Sequence, residues 1–288
     1  MIEEILKMGF EHVELGYDLT LDLVPGVKKM VEEKALTVDS VHNFCPVPVG
    51  VPFGHPELFS LSSRMDRTRK SAVLHTTRTI EFAAEIGARF VVVHAGYVDI
   101  KKMTPKLVSL CEEGKQYDSS YEKIKLKLLI QREKKARKHL DRLYISLEEM
   151  LPVLQDTNVR LCLENLPFWE SIPTEIEMEE ILRHFDSRAI CYWHDIGHGQ
   201  VRHNLGFTSH THWLKRLSPW LGGMHIHDVI PPAWDHLMPP KGNIDFTSFK
   251  SVVESGTVFV FEPAPGTPEA DIRKGMEVIR EAWGMENG

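Results

Sequence analysis

Apolar residues in this chain gather in short, nearly continuous runs, separated by longer stretches in which they recur every three or four positions. The runs fall at 12–15, 37–44, 90–94, 159–163, 189–193, 223–227 and 258–261. A run with no polar alternation has both faces buried, as the strands of a parallel sheet do. The segments 71–86 and 176–185 carry the three-and-four spacing of amphipathic helices, and a further helix is expected at 2–8, ahead of the first run. Strand followed by helix, repeated, predicts an α/β fold with helices covering a parallel sheet.

An open, doubly wound sheet that binds a nucleotide needs a glycine-rich turn after an early strand, and no G-x-G-x-x-G or Walker pattern is present. The pattern therefore predicts a TIM-type (β/α) barrel, a single domain over 1–288. Such a barrel has eight strands and only seven runs occur, so the first-strand position is expected to be empty or irregular. The strand edges this leaves invite association with a second copy of the chain. Between 101 and 142 the chain departs from simple alternation: 13 Lys and Arg stand against 6 Asp and Glu, in a predicted long helix with Ile124, Leu128, Leu140, Leu143 and Leu147 on its apolar side. This basic insertion reads as a helix with a solvated outer face, or as a site for an acidic partner or phosphorylated ligand.

Composition narrows the classes. With 42% hydrophobic and 26% charged residues over 288 positions, the chain is neither disordered nor fibrous. No apolar run approaches the ~20 residues of a membrane span, and the N-terminus has no apolar stretch of signal-peptide length, so a cytoplasmic protein is expected. The four cysteines, Cys45, Cys111, Cys162 and Cys191, are widely spaced and form no CxxC pair, so reduced thiols are expected. The formal net charge of -7 disfavours a nucleic-acid partner. Fifteen histidines are many for this length, and histidine is the commonest metal ligand.

The chemistry of a parallel barrel collects at the C-terminal ends of its strands. Those ends read Glu14, His42, His94, Glu164, Asp195 with His198, His225 with His227, and Glu262. Carboxylates and imidazoles converging on one mouth would repel and desolvate one another without a cation. A divalent ion is the simplest remedy, and mixed nitrogen and oxygen donors suit Mn²⁺, Zn²⁺, Co²⁺ or Fe²⁺. His42 and His94, both at strand ends, are expected to face the same cavity.

The segments VVVHAG, LCLENL, WHDIGH, GGMHIHD, WDHLMPPKGNIDF and VFEPAP, in this order, resemble the xylose isomerase-like TIM barrels, a superfamily of sugar isomerases, epimerases and endonuclease IV. The resemblance runs from about Gly9 to Trp283. It implies a metal site of Glu164, Asp195, His225 and Glu262, with His198 beside it, and a divalent-metal-dependent isomerase or epimerase acting on a sugar or sugar phosphate. Glu164 and Glu262 would then also move the proton. His42, His94, His198, His227 and Lys241 are candidate substrate contacts. The alternative from the same superfamily is an endonuclease IV-like phosphodiesterase, with His42, His94, His198 and His236 as further ligands; there Trp234 stands where a ligating aspartate is needed. A barrel that binds a ligand without turning it over is the third reading. His227 and Asp228 read as supports of the ligands or as substrate contacts, and Trp193 and Phe168 as core or as an apolar wall.

Overall fold

The computed structural model describes residues 2–253 and 256–285. In chain order the strands are β1 His12–Leu15, β2 Thr37–His42, β3 Phe90–Val93, β4 Gly96–Tyr97, β5 Arg160–Glu164, β6 Ser171–Ile172, β7 Ile190–Asp195, β8 Leu221–Ile226, β9 Asp228–Ile230, β10 Trp234–Leu237 and β11 Val258–Phe261. The helices are α1 Ile2–Lys7, α2 Val24–Glu32, α3 Asp66–Glu85, α4 Thr104–Glu112, α5 Ser119–Thr157, α6 Glu175–Phe185, α7 Ile196–Asn204, α8 His210–Leu217 and α9 Glu269–Trp283. The seven expected runs become one seven-stranded sheet in the order β1-β2-β3-β5-β7-β8-β11, with β1 and β11 as its edges. Neighbours pair in parallel, as at Phe90 opposite Arg160 and Val260 opposite His225. No helix among the described residues is long and apolar enough to cross a membrane.

The chain forms two compact units. The first comprises Met1–Tyr97, Arg137–Glu164 and Ile176–Tyr192. Its strands β2, β3 and β5 bury Val41, Val91, Val92 and Leu161 completely, and Ile80 of α3 and Leu143 and Leu147 of α5 are buried likewise. Here the expectation of four reduced cysteines is corrected: Cys162 and Cys191 form a disulfide, and Cys45 and Cys111 stay free. The pair is 29 residues apart in sequence but sits on neighbouring strands with Cα atoms 4.4 Å apart, within disulfide reach. Sequence spacing carries no information on strand adjacency.

The second unit comprises Val98–Ala136, Asn165–Glu175 and Trp193–Gly288. Its core joins Met103, Leu107 and Leu110 of the α4 region and Tyr121 and Leu128 of α5 to Val201, Leu205 and Val229. The basic insertion thus packs by an apolar face. Some of its cations satisfy backbone carbonyls: Lys125 donates to Gly206 at 2.7 Å, and Arg132 donates to Trp169 at 2.7 Å and Ser171 at 2.8 Å. Pro105 opens α4 and Gly284, at φ 69, closes α9, the positions where each residue costs least.

Candidate metal centre

In the first unit, β2 and β5 each end on a candidate ligand, and β3 is followed directly by one. His42 is the last residue of β2, His94 follows β3, and Glu164 ends β5. All three converge: the Nε2 atoms of His42 and His94 lie 3.3 and 3.2 Å from the same oxygen, Glu164 Oε2, and the two rings meet edge to face at 5.1 Å. Nδ1 of His42 lies 3.1 Å from the carbonyl of Asn43. A carbonyl only accepts, so His42 donates from Nδ1, and in a neutral ring the Nε2 lone pair would face a carboxylate oxygen. Two electron-rich atoms facing each other call for a proton or a cation between them. Nδ1 of His94 is buried with no hydrogen-bond partner among the described residues. Tyr17, which sequence reading overlooked, packs its ring edge on His42 at 5.3 Å.

In the second unit the centre of the cluster is Asp195, the last residue of β7 and the N-cap of α7. Its Oδ1 accepts the backbone N–H of His198 at 2.6 Å. Its backbone is clamped at both ends by Asn165, which donates to the Asp195 carbonyl and accepts its N–H, each at 2.9 Å. Asn165 was another omission; the only sequence signal was its place after Glu164. Burial by itself would raise the Asp195 carboxyl. The surrounding imidazoles of His198, His227 and His225 outweigh that and hold it well below the usual carboxylate range.

His225 of β8 directs Nδ1 toward two carboxylates, 3.3 Å from Glu262 Oε2 and 3.7 Å from Asp195 Oδ2. Glu262 follows β11 directly, and its Oε2 is buried without a hydrogen-bond donor among the described residues. A buried anionic oxygen lacking a donor fits a cation, since leaving it uncompensated is costly. His198 has its Nδ1 3.1 Å from the carbonyl of Asn165; donating there fixes the tautomer whose Nε2 can ligate, a common arrangement at metal-bound histidines. Ligand atoms of Asp195, His227 and Glu262, and of His198, His227 and His236, come within 4.8 Å of one another, as do those of His42, His94 and Glu164. These spacings suit a divalent ion.

Other sequence candidates have different settings. Lys241 pairs with Asp271 of α9. Asp228 accepts the N–H groups of Val229, Gly242 and Ile244 at 2.8, 2.7 and 3.1 Å, so it anchors the loop after β10. Trp193 is fully buried, its ring 5.4 Å from that of His225, with the core role of the two considered. The Phe168 carbonyl accepts from Arg202 at 3.3 Å. His236 carries Asp235 on its Nδ1 at 3.0 Å; burial would lower the His236 pKa, but the bond to Asp235 and the charges of Asp195 and Glu262 raise it. Trp234, two residues earlier, is exposed.

The description "Xylose isomerase-like TIM barrel" matches residues 2–282. An uncharacterized protein of Methanocaldococcus jannaschii is 25% identical over 247 residues, spanning 86% of this chain and 78% of its own. Among solved structures, a D-tagatose 3-epimerase-like protein superposes with a TM-score of 0.70 at 20% identity, covering 99% of this chain and 92% of that one. The IOLI protein, with a zinc atom in its structure, gives 0.64 at 15% identity, covering 98% and 91%. At these identities the superpositions establish the fold.

Proposed function

Because the chain belongs to the xylose isomerase-like TIM-barrel family, we propose that it is a divalent-metal-dependent isomerase or epimerase of a sugar or sugar phosphate. The observation that carries this reading is the facing of His225, Asp195 and Glu262 at the ends of β7, β8 and β11, with one Glu262 oxygen buried and lacking a donor. The likeness to a D-tagatose 3-epimerase-like protein supports the substrate class. Glu164 completes the proposed ligand set, as the family resemblance implies. Mn²⁺, Zn²⁺, Co²⁺ and Fe²⁺ all suit these donors. When bound, such an ion supplies Lewis-acid polarisation of a substrate carbonyl.

The chain's own residues then have separate tasks. Asp195 stays ionised because its imidazole neighbours hold it so. The carboxylates of Glu164 and Glu262 take a proton from the carbon beside the substrate carbonyl and return one. His42 and His94 stand beside Glu164, and in this reading they contact substrate hydroxyls. The test is hydrogen exchange from that carbon into D₂O, scanned over ketoses, on protein of known metal content. Glu262→Gln should lower kcat by roughly 10²- to 10⁴-fold, the usual worth of a general base. Undiminished exchange in Glu262→Gln would sink the assignment.

A second reading is favoured by the first-unit triad: two imidazoles on a single oxygen of Glu164 suit a second ion, as a multi-metal phosphodiesterase acting on damaged DNA requires. Cleavage of abasic-site DNA by the metal-loaded protein, lost in His236→Ala together with a bound metal, would establish it. The net charge of -7 weighs against it.

A further inference from the structure

We propose that His227 is a positioning residue for Asp195 and not itself a metal ligand: it is a neutral ring, protonated on Nε2, that locks this carboxylate in place. This rests on the metal-site reading above. Ligation is the competing role to weigh against support of a ligand, since His227 stands only two positions after His225. The atoms also permit it, because His227 is close enough to Asp195 and Glu262 to share an ion with them.

Hydrogen bonding decides between the two. Nε2 of His227 lies 3.0 Å from Oδ1 and 3.1 Å from Oδ2 of Asp195, and an ionised carboxylate only accepts, so this nitrogen donates. Nδ1 accepts the backbone N–H of His236 at 2.9 Å, which places its lone pair there. Both nitrogens are therefore engaged, and neither lone pair points at an ion. His225 differs: its Nδ1 looks toward Glu262 and Asp195 together.

Packing keeps the ring where these bonds need it. His227 is fully buried and stacks on the His236 ring at 4.2 Å, 11° from parallel. Gly197 also adjoins it, for a Cβ there would come within 1.9 Å of the His227 Cε1. His236, whose N–H closes the chain of bonds, takes φ 55, a backbone conformation uncommon outside glycine. Asp195 is thus held from four directions, by Asn165 on its backbone, by the N-terminus of α7 on Oδ1, by His227 across both oxygens and by the His198 ring 3.4 Å from Oδ2. Removing His227 frees the carboxylate to rotate, and groups that orient a metal ligand are typically worth about 10- to 100-fold in metal affinity.

The experiment is Co²⁺ titration of chelator-stripped protein, followed by its visible absorption and by competition with a chelator of known affinity, for wild type, His227→Gln, His227→Phe, Gly197→Ala and His225→Gln. Glutamine can place an N–H where Nε2 stood, so His227→Gln should keep the wild-type spectrum and lie within about threefold of its affinity, as a retained orienting bond requires. His227→Phe should bind roughly 10- to 100-fold more weakly, and Gly197→Ala should weaken binding in the same direction by displacing the ring. His227→Gln behaving like His225→Gln, with binding abolished or the spectrum changed, would make His227 a ligand and overturn the inference. So would wild-type affinity in both His227→Phe and Gly197→Ala. Should His227→Phe fail to fold by circular dichroism, the glutamine and Gly197 variants decide. Wild-type protein that binds no Co²⁺ refutes the metal reading itself, and this inference falls with it.

Discussion

At His236 two chemistries part. Its ring is held by Asp235 at 3.0 Å, and its Nε2 is 3.9 Å from Glu262 Oε2. In the isomerase reading, His236→Ala should leave metal content unchanged and lower sugar turnover at most moderately, which elemental analysis and exchange kinetics on one preparation would check. Loss of a metal with the ring would favour the phosphodiesterase. Gly223 carries a packing prediction: a Cβ there would lie 2.3 Å from the Trp193 ring, which is fully buried. Gly223→Ala should therefore destabilise by about 1–3 kcal/mol, the usual cost of overpacking, read from urea denaturation. A neutral result would mean that Trp193 has room to move.

Among the elements, β5 and β7 are joined covalently through Cys162 and Cys191. Alkylation of unfolded, unreduced protein should label two thiols, Cys45 and Cys111, and four only after reduction. Replacing both paired cysteines with alanine should cost about 2–4 kcal/mol, the typical contribution of such a bridge. Labelling of all four without reductant would contradict the pairing. The α7–α8 corner supplies a pH dependence. His210 of α8 is buried, its Nε2 2.9 Å from that of His194, and burial first, then His194, lowers its pKa well below 6.5. Below about pH 6.5 the unfolded chain binds a proton at this position that the folded chain refuses. Stability therefore falls with falling pH, by at most about 1.4 kcal/mol per unit from this one group. His210→Leu should flatten the stability profile between pH 6.5 and 5; an unchanged slope would assign the dependence elsewhere.

For the whole molecule, metal should couple to stability: an ion that binds only the folded state adds about 2.7 kcal/mol at a hundredfold excess over its Kd. Stripping with a chelator should lower Tm, and Zn²⁺ or Mn²⁺ should restore it; an indifferent Tm would count against the proposed ion. The seven strands, and most of the residues that end them, were legible in the chain itself. Burial on both faces of a parallel sheet forces continuous apolar runs, so the strands could be picked from the pattern, and with them the polar residues His42, Glu164, Asp195, His225 and Glu262 at or beside their ends. What the amino-acid order could not determine was every relation set by the distance between strands. The disulfide depends on β5 lying next to β7. The roles of Asn165 and Tyr17 depend on which loops meet. Which of its two expected parts His227 takes, ligand support or substrate contact, turns on a single backbone N–H from His236, nine residues further on. Spacing along one strand is local and periodic and is written in the sequence, whereas which nitrogen of a buried ring finds a donor is decided only when separate segments are brought together.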